Sequence, residues 1–355
     1  MKTPIKLTKT SNSKLPNLDF NNIPFGKIMS DHMFICDYDG RGWQNSRIEE
    51  YGPIPMSPAL SCLHYAQSFF EGMKAYKTVD EEIVLFRPEK NWERLNTSAK
   101  RLSAPEVPKD LFFDALNTLL ELDKEWIPKG KDKSLYIRPF IFASDEYIGM
   151  RPSETYKFVI FTCPVSAYYS APVKVKIETH FTRAPLLGGT GSVKASGNYG
   201  GTLYPARLAK EEGYDQLIWT DSNAHKYLEE AGTMNVFFVI DGVVITPDLG
   251  DSILPGVTRQ SVLELAKSWG LKTEERKISI EEIISAIEQG RLQEAFGTGT
   301  AATITSIELI GYNNTKYPLP ILSETSFSKK ILNYLDSLKA GEIEDKFGWL
   351  YKIKN

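Results

Sequence analysis

The run Gly188-Gly189-Thr190-Gly191-Ser192-Val193-Lys194-Ala195-Ser196-Gly197-Asn198-Tyr199 sets one lysine in a flexible, glycine-lined stretch with no other charge. Such a lysine is a candidate for imine chemistry. Only the neutral ε-amine attacks a carbonyl, and removal from water lowers an ammonium's pKa toward that form. Spacing excludes two familiar glycine motifs. A phosphate loop GxxxxGK[ST] needs glycine directly before the lysine, where Val193 stands, and a GxGxxG fingerprint begun at Gly189 ends on Lys194. An ordinary loop with a solvated lysine stays open on spacing alone, so the meaning of Lys194 depends on its neighbours along the chain.

Three further segments bear on it. Leu254-Pro255-Gly256-Val257-Thr258-Arg259 leads into a helix, whose free N–H groups and positive dipole end favour a phosphate. Phe296-Gly297-Thr298-Gly299-Thr300-Ala301 pairs small hydroxyls with glycines, so amides and hydroxyls can reach a second anionic group. Glu230 stands just before a strand. An amine for an aldehyde, donors for a phosphate and a carboxylate to keep a pyridine nitrogen protonated together suit pyridoxal phosphate. Taken singly, Glu230 reads as a strand-end surface acid and Thr298 or Thr300 as ordinary β residues.

The elements that must position these groups follow from pattern. With 355 residues, 42% of them hydrophobic, the chain can bury a large core and favours two domains. Residues 33–38, the turn Asp39-Gly40 and the chain from Trp43 read as a hairpin. Ser57-Pro58 opens a helix with Leu60, Leu63 or His64, Gln67 and Phe70 on one face, stopping at Gly72 before paired strands at 73–77 and 83–86. Helices follow over 89–102 and 109–126, the second with Leu111, Ala115, Leu119 and Leu122 in phase, then strands at 135–142 and 157–162. Residues 164–172, with Ala167-Tyr168-Tyr169-Ser170, break the pattern and read as an interdomain connection. Beyond the lysine loop come a helix at 202–212, a strand at 216–220 and a hairpin, 234–240 and 243–246, turning on Asp241-Gly242. A helix then ends at Gly270, and Ser279 with Glu282 makes a capping box for a helix ending at Gly290. The expected domains are a flexible arm at 1–21, an α+β domain at 22–163, a connection at 164–176 and a cofactor domain at 177–355.

The net charge of −3 comes from interspersed acids and bases, which argues against a nucleic-acid partner. No apolar run approaches the ~20 residues of a membrane helix, and the first 21 residues lack a hydrophobic signal core. Lysines among serines and threonines there suggest a transit peptide, but arginine is absent and prolines interrupt any helix. Cys36, Cys62 and Cys163 define neither a disulfide framework nor CxxC, which fits a reducing cytoplasm, and His32, His64, His180 and His225 lack metal-ligand spacing.

Ser68-Phe69-Phe70-Glu71-Gly72-Met73-Lys74-Ala75-Tyr76, Leu85-Phe86-Arg87-Pro88, Ser134-Leu135-Tyr136-Ile137-Arg138-Pro139, Lys194 through Gly200, Glu230 through Asn235, and the two anion segments stand in the order and spacing of branched-chain amino-acid aminotransferases. From about Phe25 to Leu319 the chain closely resembles that family. The resemblance implies fold-type IV, like D-amino-acid aminotransferase: a smaller α/β N-terminal domain and a larger β-rich C-terminal domain with pyridoxal phosphate between them. It implies ping-pong transfer of the amino group of leucine, isoleucine or valine to 2-oxoglutarate. Lys194 would form the aldimine and shuttle the proton, Glu230 pair with the pyridine nitrogen and Tyr199 bond the 3-hydroxyl. Arg94 would grip the phosphate with Thr233, Val257, Thr258 and Thr298; heptad spacing alone does not separate Arg94 from Arg87 and Arg101. Phe25, Tyr65, Phe70, Tyr136 and Tyr168 would wall the substrate pocket, Arg138 with Tyr65 would read the distal carboxylate, and Thr300 and Ala301 the α-carboxylate. Ile148 and Met150 would close the pocket of a neighbouring subunit, implying a homodimer. Animal members carry CxxC where Ala302 and Thr305 stand, so thiol regulation there is excluded. D-amino-acid aminotransferases and aminodeoxychorismate lyases share the lysine but typically lack the long N-terminal segment and the first and third of these motifs.

Overall fold

The computed structural model describes residues 4–166, 169 and 171–354 and forms two compact units. The first unit comprises Met1–Tyr168, Lys194–Gly197 and Asp336–Asn355; the second comprises Tyr169–Val193 and Asn198–Leu335. Helices and strands mix in both, as the α+β reading expects.

Among the described residues, the first unit holds a nine-stranded sheet ordered Lys6–Leu7, Trp43–Glu50, His32–Tyr38, Tyr156–Val165, Ser134–Ala143, Met73–Lys77, Ile83–Phe86, Leu350–Lys352, with Ser68–Phe70 also on Ser134–Ala143. Its core gathers Phe34, Phe69, Phe158 and Ile160 from strands against Phe112, Ala115, Leu116 and Leu119 of the Lys109–Leu122 helix. That face lies beside the one expected from Leu111 and Leu122, which are only half-buried.

The helix expected over 57–72 is a correction. Only Ser61–Tyr65 is helical; Ala66 turns left-handed at φ 52°, and Ser68–Phe70 pairs as a strand. Helical spacing matched Leu60, Leu63, Gln67 and Phe70, but sheet pairing buries Phe69 completely. Long-range pairing overrode local propensity.

Over its described part the arm at 1–21 makes specific contacts. Lys6–Leu7 pairs in parallel with Arg47 and Ile48, and the Ser13 hydroxyl and Lys14 N–H donate to Asp31. Thr10 N–H donates to His32 Nε2 at 3.0 Å while Asp123 Oδ1 lies 2.6 Å from Nδ1. An imidazole that accepts at Nε2 turns its Nδ1 proton toward Asp123.

The second unit's strands run Leu228–Ala231, Gln216–Thr220, Val173–Ile177, Thr303–Tyr312, Leu292–Gly299, Met234–Ile240, and Leu228–Ala231 pairs again with Met234–Ile240, closing a ring of six. Closure leaves no open edge among them. The hairpin turns on Asp241 (φ 50°) and Gly242 (φ 75°), the positive-φ pair a type I′ turn needs. Ser279 caps Ile280–Glu288 through Glu282 N–H, but Glu282 turns its carboxylate to Arg276 and leaves the box half made.

Lys74 is buried, and burial, helped by the Lys339 ammonium, pushes its pKa down to about 7, with Asp336 opposing; Lys339 is buried too, its Nζ 5.2 Å from the half-buried Tyr76 ring. Between pH 7 and its unfolded value of 10.5 the unfolded chain therefore binds more protons, so stability rises with pH across that window. Lys74→Met should stabilise the protein at pH 7 by on the order of 1 kcal/mol or more. Denaturant titrations at pH 7 and 10 check this: the gain should shrink at the higher pH, and an equal gain at both would contradict the buried neutral amine.

Candidate active site

Lys194 does not ride on a free glycine loop. Its N–H donates to Ser98 Oγ at 3.0 Å, its carbonyl accepts from Phe70 N–H at 3.2 Å, and Ala195 bridges to Phe69. Ser196 N–H then donates to the Ser68 carbonyl, so the lysine segment is stitched to the edge of Ser68–Phe70. Gly191 serves packing, since a Cβ there would clash with the Ser252 carbonyl oxygen. The expected flexibility is thus replaced by a fixed main chain from which only the side chain extends.

In the first unit several expected residues converge on one aromatic ring. Lys194 Nζ lies 4.8 Å from the Phe70 centroid and the Arg138 guanidinium carbon 4.4 Å from it, cation–π distances in both cases. Strand alternation over Ser134–Ala143 puts Tyr136 and Arg138 on one face; Arg138 Nη2 donates to the Tyr136 hydroxyl at 2.9 Å, and Phe25 meets Tyr136 edge-on at 5.6 Å. Arg138 Nε is buried without a hydrogen-bond partner among the described residues, a donor suited to a carboxylate. Gly72 makes room for this wall, since a Cβ there would sit 2.2 Å from the Tyr136 hydroxyl.

Arg94 lies on the buried side of the Pro88–Arg101 helix, its Nε and Nη2 donating to Glu71 at 2.7 and 3.0 Å. Tyr65, Ile148 and Met150 are exposed in the single chain. Tyr168 falls outside the described residues.

The second unit brings together the carboxylate and the anion seats. Glu230, expected in isolation to be a surface acid, is 3% exposed on Leu228–Ala231. Its Oε1 accepts from Asn235 Nδ2 at 3.1 Å and Leu254 N–H at 3.2 Å, and Oε2 lies 2.8 Å from Arg183 Nε. Asn235 also donates to the Leu254 carbonyl and pairs in register with Thr298. Gly256 begins the Val257–Ser268 helix with no side-chain cap, so Val257 and Thr258 occupy its first turn. Thr298 Oγ1 is buried and without a partner among the described residues. An uncapped helix start, an unsatisfied buried hydroxyl and a fixed carboxylate fit a phosphorylated pyridine, the donor set pyridoxal phosphate requires.

The remaining residues are placed as follows. Tyr199 is half-buried in the short Gly197–Gly200 helix, Thr233 is exposed in the turn after Gly232, and Thr300 and Ala301 form the turn between Leu292–Gly299 and Thr303–Tyr312. Sequence reading missed Arg183 and Glu71. Arg183 carries no motif, and nothing in its spacing points to Glu230. Glu71 had a signal, a carboxylate in the apolar run Ser68–Met73, because such a charge is buried only with partners.

A family model described as Amino-transferase class IV matches residues 68–310. The chain is 43% identical to branched-chain-amino-acid aminotransferase 2 of Bacillus subtilis (strain 168) across 98% of its length and 96% of that protein's. It is 40% identical to a branched-chain-amino-acid aminotransferase of Mycobacterium tuberculosis, over 93% and 92% respectively. Among solved structures, branched-chain amino acid aminotransferase from Escherichia coli matches with a TM-score of 0.74 at 27% identity, covering 92% of this chain and 99% of that one. The chain belongs to the class IV aminotransferases and has their two-domain fold.

Proposed function

We propose that this chain is a pyridoxal-phosphate-dependent transaminase that moves the amino group of leucine, isoleucine or valine to 2-oxoglutarate, in a cytoplasmic homodimer. The observation that carries the reading is the Phe70 ring with an amine on one contact and a carboxylate-reading guanidinium on another. An apolar side chain meets Phe25, Phe70 and Tyr136, while the γ-carboxylate of glutamate meets Arg138, so one wall serves both half-reactions.

Bound pyridoxal phosphate supplies an aldehyde and a sink for the electrons of the breaking Cα–H bond. Lys194 would be the amine that meets that aldehyde, and its ε-amine would serve as the base that takes the substrate Cα proton and the acid that returns it. Glu230 would hold a proton on the pyridine nitrogen, and Tyr199 would hydrogen-bond the ring hydroxyl. Arg94, the Val257 and Thr258 amides, Thr233 and Thr298 hold the phosphate, and Thr300 and Ala301 the substrate α-carboxylate. Exposed Ile148 and Met150 support the dimer, in which they would face a partner's pocket.

Purified protein with pyridoxal phosphate should be yellow, and borohydride should bleach it while fixing the cofactor on Lys194. An amino-donor screen with 2-oxoglutarate should then favour the three branched-chain amino acids. Colourless protein would sink the enzyme reading; activity confined to D-alanine would replace the substrate reading.

A further inference from the structure

Glu71 is fully buried and takes no part in the chemistry described above. Its Oε2 accepts from Arg94 Nη2 at 3.0 Å, Asn91 Nδ2 at 2.8 Å and its neighbour Gly72 N–H at 3.2 Å, while Oε1 accepts from Arg94 Nε at 2.7 Å. Two of the four donors are Arg94's and fix the plane of its guanidinium, while Asn91 and Gly72 hold the carboxylate that receives them. The bonds continue. Ser98 Oγ, one turn along the helix, donates to the Arg94 carbonyl at 3.0 Å and accepts from Lys194 N–H at 3.0 Å. Phe70, adjacent to Glu71, donates its N–H to the Lys194 carbonyl at 3.2 Å. The path Lys194, Ser98, Arg94, Glu71, Phe70 and back to Lys194 is a closed ring.

We infer that Glu71 is a positioning residue: it aims Arg94 at the cofactor phosphate, and the ring it closes with Ser98 registers that arginine against the Lys194 backbone. The inference rests on the proposed function, in which Arg94 grips the phosphate and Lys194 meets the aldehyde. Main-chain bonds on both sides of Lys194 leave its peptide little freedom, so a shift of Arg94 is passed to the lysine. Glu71→Gln breaks the arrangement without changing size. Whichever way its amide is turned, an NH2 group faces N–H donors, either Arg94 Nε or the three on Oε2.

The test compares binding of pyridoxal phosphate and of pyridoxal, which lacks the phosphate, to full-length protein freed of cofactor. For Glu71→Gln, affinity for pyridoxal phosphate should fall by roughly tenfold or more, the scale of a lost charge-assisted bond, with pyridoxal affinity within about twofold of wild type. A merely structural role would lower both affinities together, and that result, or no change in either, overturns the inference. Should Glu71→Gln not accumulate in folded form, Asn91→Ala removes a donor to the same carboxylate and must shift the ratio in the same direction. Ser98→Ala leaves the Glu71–Arg94 pair in place. It should preserve the ratio but lower, by roughly threefold or more, the fraction of bound pyridoxal phosphate that borohydride fixes on Lys194, since the lysine amide loses its acceptor. An unchanged fraction would show that the ring does not reach the lysine. Wild-type protein that fails to prefer pyridoxal phosphate over pyridoxal would instead overturn the proposed function.

Discussion

Lys194→Ala is expected to keep the fold and to lose transamination by roughly 10³-fold or more, because under the proposed function it deletes both the amine that would meet the aldehyde and a positioned acid–base worth ~10²–10⁴. The structure makes this a clean substitution. The bonds that place the segment are made by main chain, Lys194 N–H to Ser98, Phe70 N–H to the Lys194 carbonyl and Ser196 N–H to the Ser68 carbonyl, and an alanine makes them equally well. Thermal stability should therefore stay close to wild type while steady-state turnover with leucine and 2-oxoglutarate collapses. The variant should still take up pyridoxal phosphate through the phosphate donors, but borohydride should fix none of it to residue 194. Turnover within tenfold of wild type would remove Lys194 from its role. Lys194→Arg sharpens the comparison, since it keeps a cation near the Phe70 ring without an amine able to form an imine.

What could be read from the chain beforehand divides along the range of the interactions involved. Elements set by local signals were readable: the Asp241-Gly242 hairpin, the strand at 216–220 and the helix stopping at Gly270 match to within a residue or two. The Ser61–Tyr65 helix was overextended because the competing influence, pairing of Ser68–Phe70 with Phe140–Phe142, comes from residues some 70 positions away. The same limit applies to the lysine loop. Its glycines suggested freedom, whereas the bonds that fix Lys194 come from Ser98 and Phe70, about a hundred residues earlier. Motif chemistry singled out Lys194, Glu230 and Thr298 and the family resemblance singled out Arg94; the structure buries Glu230, Arg94 and Thr298 and holds the Lys194 main chain by hydrogen bonds. Arg183 stayed invisible because an ion partner is a fact of tertiary structure. Glu71 was visible only as an oddity, an acid in an apolar strand end, until Arg94 and Asn91 supplied its partners.

Replacing Glu230 should cost both stability and rate, and a second substitution can separate the two. In Glu230→Ala, Arg183 keeps its bonds to the Gly191 and Ser252 carbonyls but loses the carboxylate 2.8 Å from its Nε, in a site where its side chain is 6% exposed. Breaking a buried ion pair from one side costs about 3–5 kcal/mol, so the denaturant midpoint should fall markedly. The Leu254 amide loses its acceptor and Asn235 one of its two, which loosens the turn leading to Gly256 and the helix start at Val257. Under the proposed function the same variant also lacks the carboxylate that would hold a proton on the pyridine nitrogen, and losing one preorganised electrostatic group of this kind costs ~10²–10³ in rate. A low rate alone would not distinguish a poorly folded protein from a well-folded one lacking that charge. The double variant Glu230→Leu with Arg183→Met removes both charges, and an apolar pair in place of a buried ion pair is often neutral or stabilising. Stability should then return toward wild type while turnover stays depressed. If turnover recovers with stability, the carboxylate serves the fold alone; if neither recovers, Arg183 has its own part in holding Gly191 and Ser252, which Arg183→Met in the wild-type background would show directly.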